Sequence, residues 1–122
     1  MSKLLTPLEL KVMNILWKLK SSFVKDIVEC WTEQPVPAYN TVSTTIRILQ
    51  EKGFVGFKSV GRGYEYYPLI GKLKYQQQLI VNVLENAFAG SASSLISALV
   101  SKEKISEQEL QEIKDLLDKN TP

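Results

Sequence analysis

Fifteen residues of this 122-residue chain are lysine or arginine, but only two are arginine, Arg47 and Arg62. Both fall in one short stretch, residues 39–68. A guanidinium offers a planar fork of donors that matches guanine edges and phosphates in paired hydrogen bonds. Around Arg47 the run Tyr39-Asn-Thr-Val-Ser-Thr-Thr-Ile-Arg-Ile-Leu-Gln-Glu-Lys52 has helical periodicity. Its apolar face is Val42, Thr45 (through its methyl), Ile46 and Leu49. Its opposite face is Asn40, Ser43, Thr44, Arg47 and Glu51. An ordinary surface helix loads that face with Glu and Lys. Short hydroxyl and amide side chains instead let a helix approach base edges closely. Arg62 stands between Gly61 and Gly63, flanked by two β-rich runs. The glycines allow a tight hairpin tip and leave Arg62 free to reach a phosphate or a minor groove. The chemistry expected is recognition of duplex DNA. Base readout falls to Asn40, Thr41, Ser43, Thr44 and Arg47, and backbone anchoring to Tyr39, Lys52, Lys58 and Arg62.

Other chemistries lack their parts. The chain has no His and a single Cys, Cys30, so no intrachain disulfide forms. A cytosolic location is expected. Cys30 lies on a helical pattern and is expected to be buried and structural rather than nucleophilic. No His/Cys cluster offers a metal site, no glycine-rich loop leads into a helix, and no cofactor or enzymatic role is expected. The most apolar segment, residues 79–99, is interrupted by Asn82, Glu85, Asn86 and several serines, so no membrane insertion is expected. The net charge of +2 is unevenly spread. Residues 40–74 hold six basic and two acidic residues, and residues 101–122 hold four basic and six acidic. A basic middle and an acidic tail suit a protein that turns one face to a polyanion.

The elements that must position these residues are legible in order. Thr6-Pro-Leu-Glu9 is a helix start with a capping box, opening a helix to about Lys20 with Leu8, Val12, Ile15, Leu16 and Leu19 apolar and Trp17 at the core edge. Residues 21–23 form an extended link. Residues 24–32 form a second helix with Ile27, Val28 and Trp31 facing in. Pro35 and Pro37 then break the chain. The third helix starts near Ala38 and ends at Lys52-Gly53, where glycine takes a left-handed cap. Residues 54–60 and 64–69 are the hairpin strands. Alternation puts Val55, Phe57 and Tyr66 against the helices, with Tyr67 and Leu69 closing the edge. The fold expected is mainly α with a small β-hairpin wing: a winged helix-turn-helix domain over residues 1–70 and a helical dimerisation region over 71–122.

That second region carries three apolar stripes. Residues 71–88 present Leu73, Ile80, Val83, Leu84, Ala87 and Phe88, and residues 93–100 present Leu95, Ile96 and Leu99. A second capping box, Ser106 to Glu109, opens a helix with Leu110, Ile113, Leu116 and Leu117. These helices carry more apolar surface than they bury on one another. Homodimerisation is expected through Leu73, Ile80, Leu84, Phe88, Leu95, Leu99, Leu110, Ile113 and Leu117.

Three segments carry a resemblance: Leu5-Thr-Pro-Leu-Glu-Leu-Lys-Val-Met-Asn-Ile-Leu-Trp17, residues 39–54, and Tyr64-Glu-Tyr-Tyr-Pro-Leu69. The chain resembles the penicillinase-repressor family of bacterial winged-helix regulators (BlaI/MecI/CopY type) over nearly its whole length. The resemblance implies a dimeric transcriptional repressor on a palindromic operator, with regulation of the antibiotic-resistance type. It also implies relief of repression when a membrane sensor-protease pathway triggers cleavage in the C-terminal region. In well-known members the cleaved bond joins Asn to Phe. Here the corresponding pair is Ala98-Leu99, a departure from that pattern. The paired C-terminal cysteines of the copper-responsive branch have no counterpart, so metal sensing of that kind is not expected. The alternative is a winged helix used as a protein-interaction module, without a specific DNA site.

Overall fold

The computed structural model describes residues 4–120. Six helices and two strands follow in order: α1 (Pro7–Leu19), α2 (Val24–Glu29), α3 (Tyr39–Glu51), β1 (Val55–Val60), β2 (Gly63–Pro68), α4 (Lys72–Ala87), α5 (Ala92–Ser101) and α6 (Glu107–Asn120). The chain divides into two compact units, one reaching Leu79 and one starting at Ile80. The division falls inside α4, nine residues beyond the boundary expected at 70/71. The reason is Tyr75, which is buried in the core of the first unit, with Leu79 packed against that core.

Local chemistry sets the start of α1. Glu9 N–H donates to Thr6 Oγ1 at 3.2 Å, and Thr6 N–H donates to Glu9 Oε1 at 2.8 Å. This reciprocal cap satisfies two of the free donors at the helix start. Val12, Met13 and Leu16 of α1 meet Val24 and Ile27 of α2 and Val42, Ile46 and Leu49 of α3 in one core. Thr45 is buried as well, and its hydroxyl is satisfied by donating to Thr41 O at 2.8 Å. Gly53, at φ +84°, turns the chain out of α3. Phe54 and Val55 then enter the core.

The two strands pair antiparallel, from Val55↔Pro68 to Val60↔Gly63. Ser22 adds a bridge on the free edge of β2, with Ser22 N–H to Tyr66 O at 2.9 Å and Tyr66 N–H to Ser22 O at 2.8 Å. The loop is two residues, Gly61 and Arg62, and only Gly61 has positive φ, at +61°. That is the type II′ pattern, whose first position favours glycine. Gly63 belongs to the strand.

Several expectations are corrected. The second helix ends at Glu29 rather than at residue 32, and Cys30 is exposed rather than buried. Cys30 caps the helix after its inward face has been used by Val24 and Ile27. Phe57 is 45% exposed. It lies on the buried face of β1, but the hairpin extends past the helices. Its ring packs on Tyr64 at 5.2 Å and Tyr66 at 6.3 Å instead. Leu69 is exposed, while Tyr67 is half-buried across from Gly56. In the second unit, α5 starts on Ser91, whose hydroxyl accepts from Ser94 N–H. At the start of α6, Glu109 N–H donates to Ser106 Oγ at 3.1 Å and Ser106 N–H to Glu109 Oε1 at 3.3 Å, the second capping box. No single described helix is long and apolar enough to cross a membrane.

Candidate nucleic-acid interface

The buried residues of α3 leave its other face open. Asn40, Thr41, Thr44, Arg47 and Glu51 are exposed, and Ser43 is half-buried. A turn of 3.6 residues stacks Asn40, Ser43 and Thr44, Arg47 and Glu51 along one stripe. The first turn of α3 holds no acidic residue, and Ala38, its cap, makes no side-chain hydrogen bond. The positive end of the helix dipole therefore stays uncompensated beside Tyr39, which is exposed. Among the described residues Arg47 enters no ion pair, so its fork is available to an incoming group.

The hairpin stands against this helix. Burial pushes the Tyr66 hydroxyl above the ordinary phenol range; the positive charge of Arg47 pulls the other way, and Tyr39 and Tyr64 add to the rise. Arg47 and Tyr39 of α3 and Tyr64 of β2 thus lie near enough to act on the charge of that hydroxyl. Arg62 projects from the loop and is exposed. Lys58 is exposed too, and it pairs with its cross-strand neighbour Glu65 at 3.2 Å. An exposed pair of this kind is worth little and yields readily to a phosphate.

Lys52 departs from the rest. Its ammonium donates to both carboxylate oxygens of Glu9, at 2.7 and 3.0 Å. Glu9 is 5% exposed. Burial pushes the Glu9 carboxyl up, but hydrogen bonds from Lys52 and from the Thr6 N–H, with the charge of Lys52, outweigh it and hold the carboxyl below its ordinary value. Sequence reading found the cap role of Glu9 and missed its second partner. A basic residue at the end of a helix looks the same in sequence whether it is free to meet a phosphate or is held by an internal carboxylate.

The nine apolar residues assigned to dimerisation lie on α4, α5 and α6. Leu73, Ile80, Leu99 and Leu117 are exposed; Leu84, Phe88, Leu95, Leu110 and Ile113 are half-buried. Ala98 and Leu99 are both exposed and lie within the last turns of α5. The described residues hold no group of three or more His, Cys, Asp or Glu side chains placed to bind a metal ion.

Comparison with known proteins points the same way. The family model described as penicillinase repressor matches residues 5–119. The methicillin resistance regulatory protein MecI of Staphylococcus aureus (strain N315) is 30% identical over 111 residues, which span 91% of this chain and 90% of that protein. MecI of Mammaliicoccus sciuri shows the same identity and coverage. The solution structure of the DNA-binding domain of the repressor BlaI superposes with a TM-score of 0.52 at 26% identity, covering 62% of this chain and 94% of that domain.

Proposed function

The chain belongs to the penicillinase repressor family, and from that premise we propose that it is a homodimeric transcriptional repressor that occupies a palindromic operator. The observation that carries the reading is the exposed stripe of α3, short and polar with one unpaired guanidinium, standing beside a hairpin that presents a second. Asn40, Thr41, Ser43, Thr44 and Arg47 read bases in the major groove. Tyr39, Lys58 and Arg62 hold the sugar-phosphate backbone. Such contacts to phosphate fix register, and contacts to base edges fix sequence. One such domain covers only a few base pairs. The apolar residues of α4, α5 and α6 join two copies, and the two-fold axis of the dimer matches that of the operator.

Relief of repression by cutting Ala98-Leu99 fits the same scheme. A helical bond must first be opened, because proteases take up locally unfolded chain. The opening releases the bonds from Lys102 N–H to Ala98 O and from Lys104 N–H to Leu99 O, at 3.2 and 2.9 Å, at the exposed end of α5. Selection of duplexes from a random-sequence pool by the full chain tests the function. Enrichment of an inverted repeat, with half-sites spaced by about one helical turn or its multiple, is expected. Weak binding with no enriched sequence would instead assign the winged helix to protein interaction.

A further inference from the structure

We propose that Glu9 is a positioning residue for DNA binding: acting through Lys52, it fixes the tilt of α3 and so the placement of its base-reading face. The inference rests on the DNA-binding reading above. Glu9 and Lys52 are 43 positions apart in sequence. Glu9 sits in the first turn of α1, and Lys52 is the residue that caps the C-terminal end of α3. The carboxylate is held rigidly, because one oxygen also accepts the Thr6 N–H. The start of α1 is in turn anchored. Leu5 N–H donates to the hydroxyl of buried Tyr75 at 3.1 Å. The Tyr75 ring packs on Trp17 at 6.0 Å and edge-on to Phe54 at 5.8 Å. Trp17 Nε1–H donates to Ile70 O at 2.8 Å. The end of α3 and the entry to β1 are therefore gripped by α1 and by the root of α4.

Leverage makes that grip matter. Asn40 lies twelve residues from Lys52, or roughly 18 Å along the helix axis at 1.5 Å per residue. A tilt of about 5° about the Lys52 end then moves the Asn40 end by about 1.5 Å over that helix length. A shift of that size breaks short, directional hydrogen bonds to base edges. Long flexible side chains on phosphates follow it without loss. Release of the clamp should therefore cost sequence discrimination while leaving the count of phosphate contacts unchanged.

The experiment uses the full chain, a duplex enriched from a random pool and an unselected duplex, with binding measured over a range of salt. Glu9→Gln and Lys52→Met are each expected to weaken binding to the enriched duplex by about tenfold, the equivalent of one good directional contact. Binding to the unselected duplex and the slope of log K against log salt should stay at wild-type values. The double variant should be no worse than either single one, and Lys52→Arg should restore discrimination. Should Glu9→Gln melt below the assay temperature, the pair Lys52→Met and Lys52→Arg carries the same test. A slope reduced by about one unit in Lys52→Met, with Glu9→Gln unchanged, would show that Lys52 neutralises a phosphate and would overturn the inference. Full discrimination in both variants would overturn it equally. Failure of the wild-type chain to discriminate between the two duplexes would instead strike the DNA-binding reading itself.

Discussion

Arg47 is the only cation on the exposed stripe of α3, and among the described residues it pairs with no carboxylate. Its removal costs the fold nothing that the core depends on. Arg47→Ala is expected to lose about 1–3 kcal/mol of discrimination, the range for one bidentate base contact. Binding to operator should fall much further than binding to random duplex in gel shifts; equal losses would place Arg47 on phosphate alone. Glu9 makes a second residue-scale prediction, about stability. Its carboxyl is held below its ordinary value in the folded chain, so the unfolded chain binds the proton first as pH falls. The stabilisation is complete above the unfolded carboxyl's pKa and is lost as pH drops through the lower, folded one. Glu9→Gln should remove that acid-dependent loss and cost about 1–3 kcal/mol near neutral pH, since Lys52 is left half-buried without its partner. Urea unfolding at several pH values measures both. The Arg47 stripe was legible in sequence because helical periodicity alone separates Val42, Ile46 and Leu49 from it. The Glu9–Lys52 pair was not, because nothing local marks a charge whose partner is brought in by the fold. Cys30 was misplaced for a related reason: a helical pattern does not announce its last turn when no glycine or proline stands there.

The hairpin shows what pattern does and does not determine at the scale of an element. Two β-rich runs around Gly61-Arg-Gly63 were enough to place the turn. Only the folded backbone separates Gly61, which has positive φ, from Gly63, which is a strand residue. Alternation correctly put Val55 and Phe57 on one face, but how far the supporting helices reach is a tertiary fact. That reach leaves Phe57 half in solvent beside Tyr64. Two expectations belong to this element. Arg62→Ala should weaken binding to all sequences alike and flatten the salt slope by about one unit, because a phosphate contact releases one counterion's worth of dependence. An unchanged slope in a normally folded variant would remove the wing from the interface. Gly56→Ala tests packing. A Cβ at Gly56 would lie 2.8 Å from the ring of Tyr67 directly across the ladder. Displacing that ring should cost about 1–3 kcal/mol of stability, the usual range for overpacking. The cost should vanish in a Tyr67→Ala background, a coupling that a double-mutant cycle on urea midpoints reads directly.

At the scale of the whole molecule, the two units pose one question: what the apolar residues beyond Leu79 are for. The first unit has a core of its own that includes Tyr75 and packs Leu79 against it. The second unit presents Ile80, Val81, Leu99 and Val100 to solvent. Their apolar periodicity was legible in sequence. Where α4 passes from one unit to the other was not, because Tyr75 lies off the stripe that the leucines trace. Joining two DNA-binding units converts the second half-site encounter into an intramolecular one and gains about 10²–10⁴ in avidity. A two-fold joint is the geometry that lets both units meet equivalent half-sites. The folding of the first unit and the avidity that joining two copies adds therefore rest on different residues. A fragment covering residues 1–97 ends just before Ala98-Leu99 and lacks all of α6. It should keep the winged helix folded, with the circular dichroism and unfolding midpoint of its core preserved. It should sediment as a monomer at concentrations where the full chain is a dimer, and its operator affinity should drop by the lost avidity while its weak binding to a single half-site persists. A cut at that bond would then switch off repression without touching any DNA-contacting residue. If the fragment still dimerises and holds operator at full-chain affinity, the residues after Ser97 serve another purpose and cleavage there cannot be the switch.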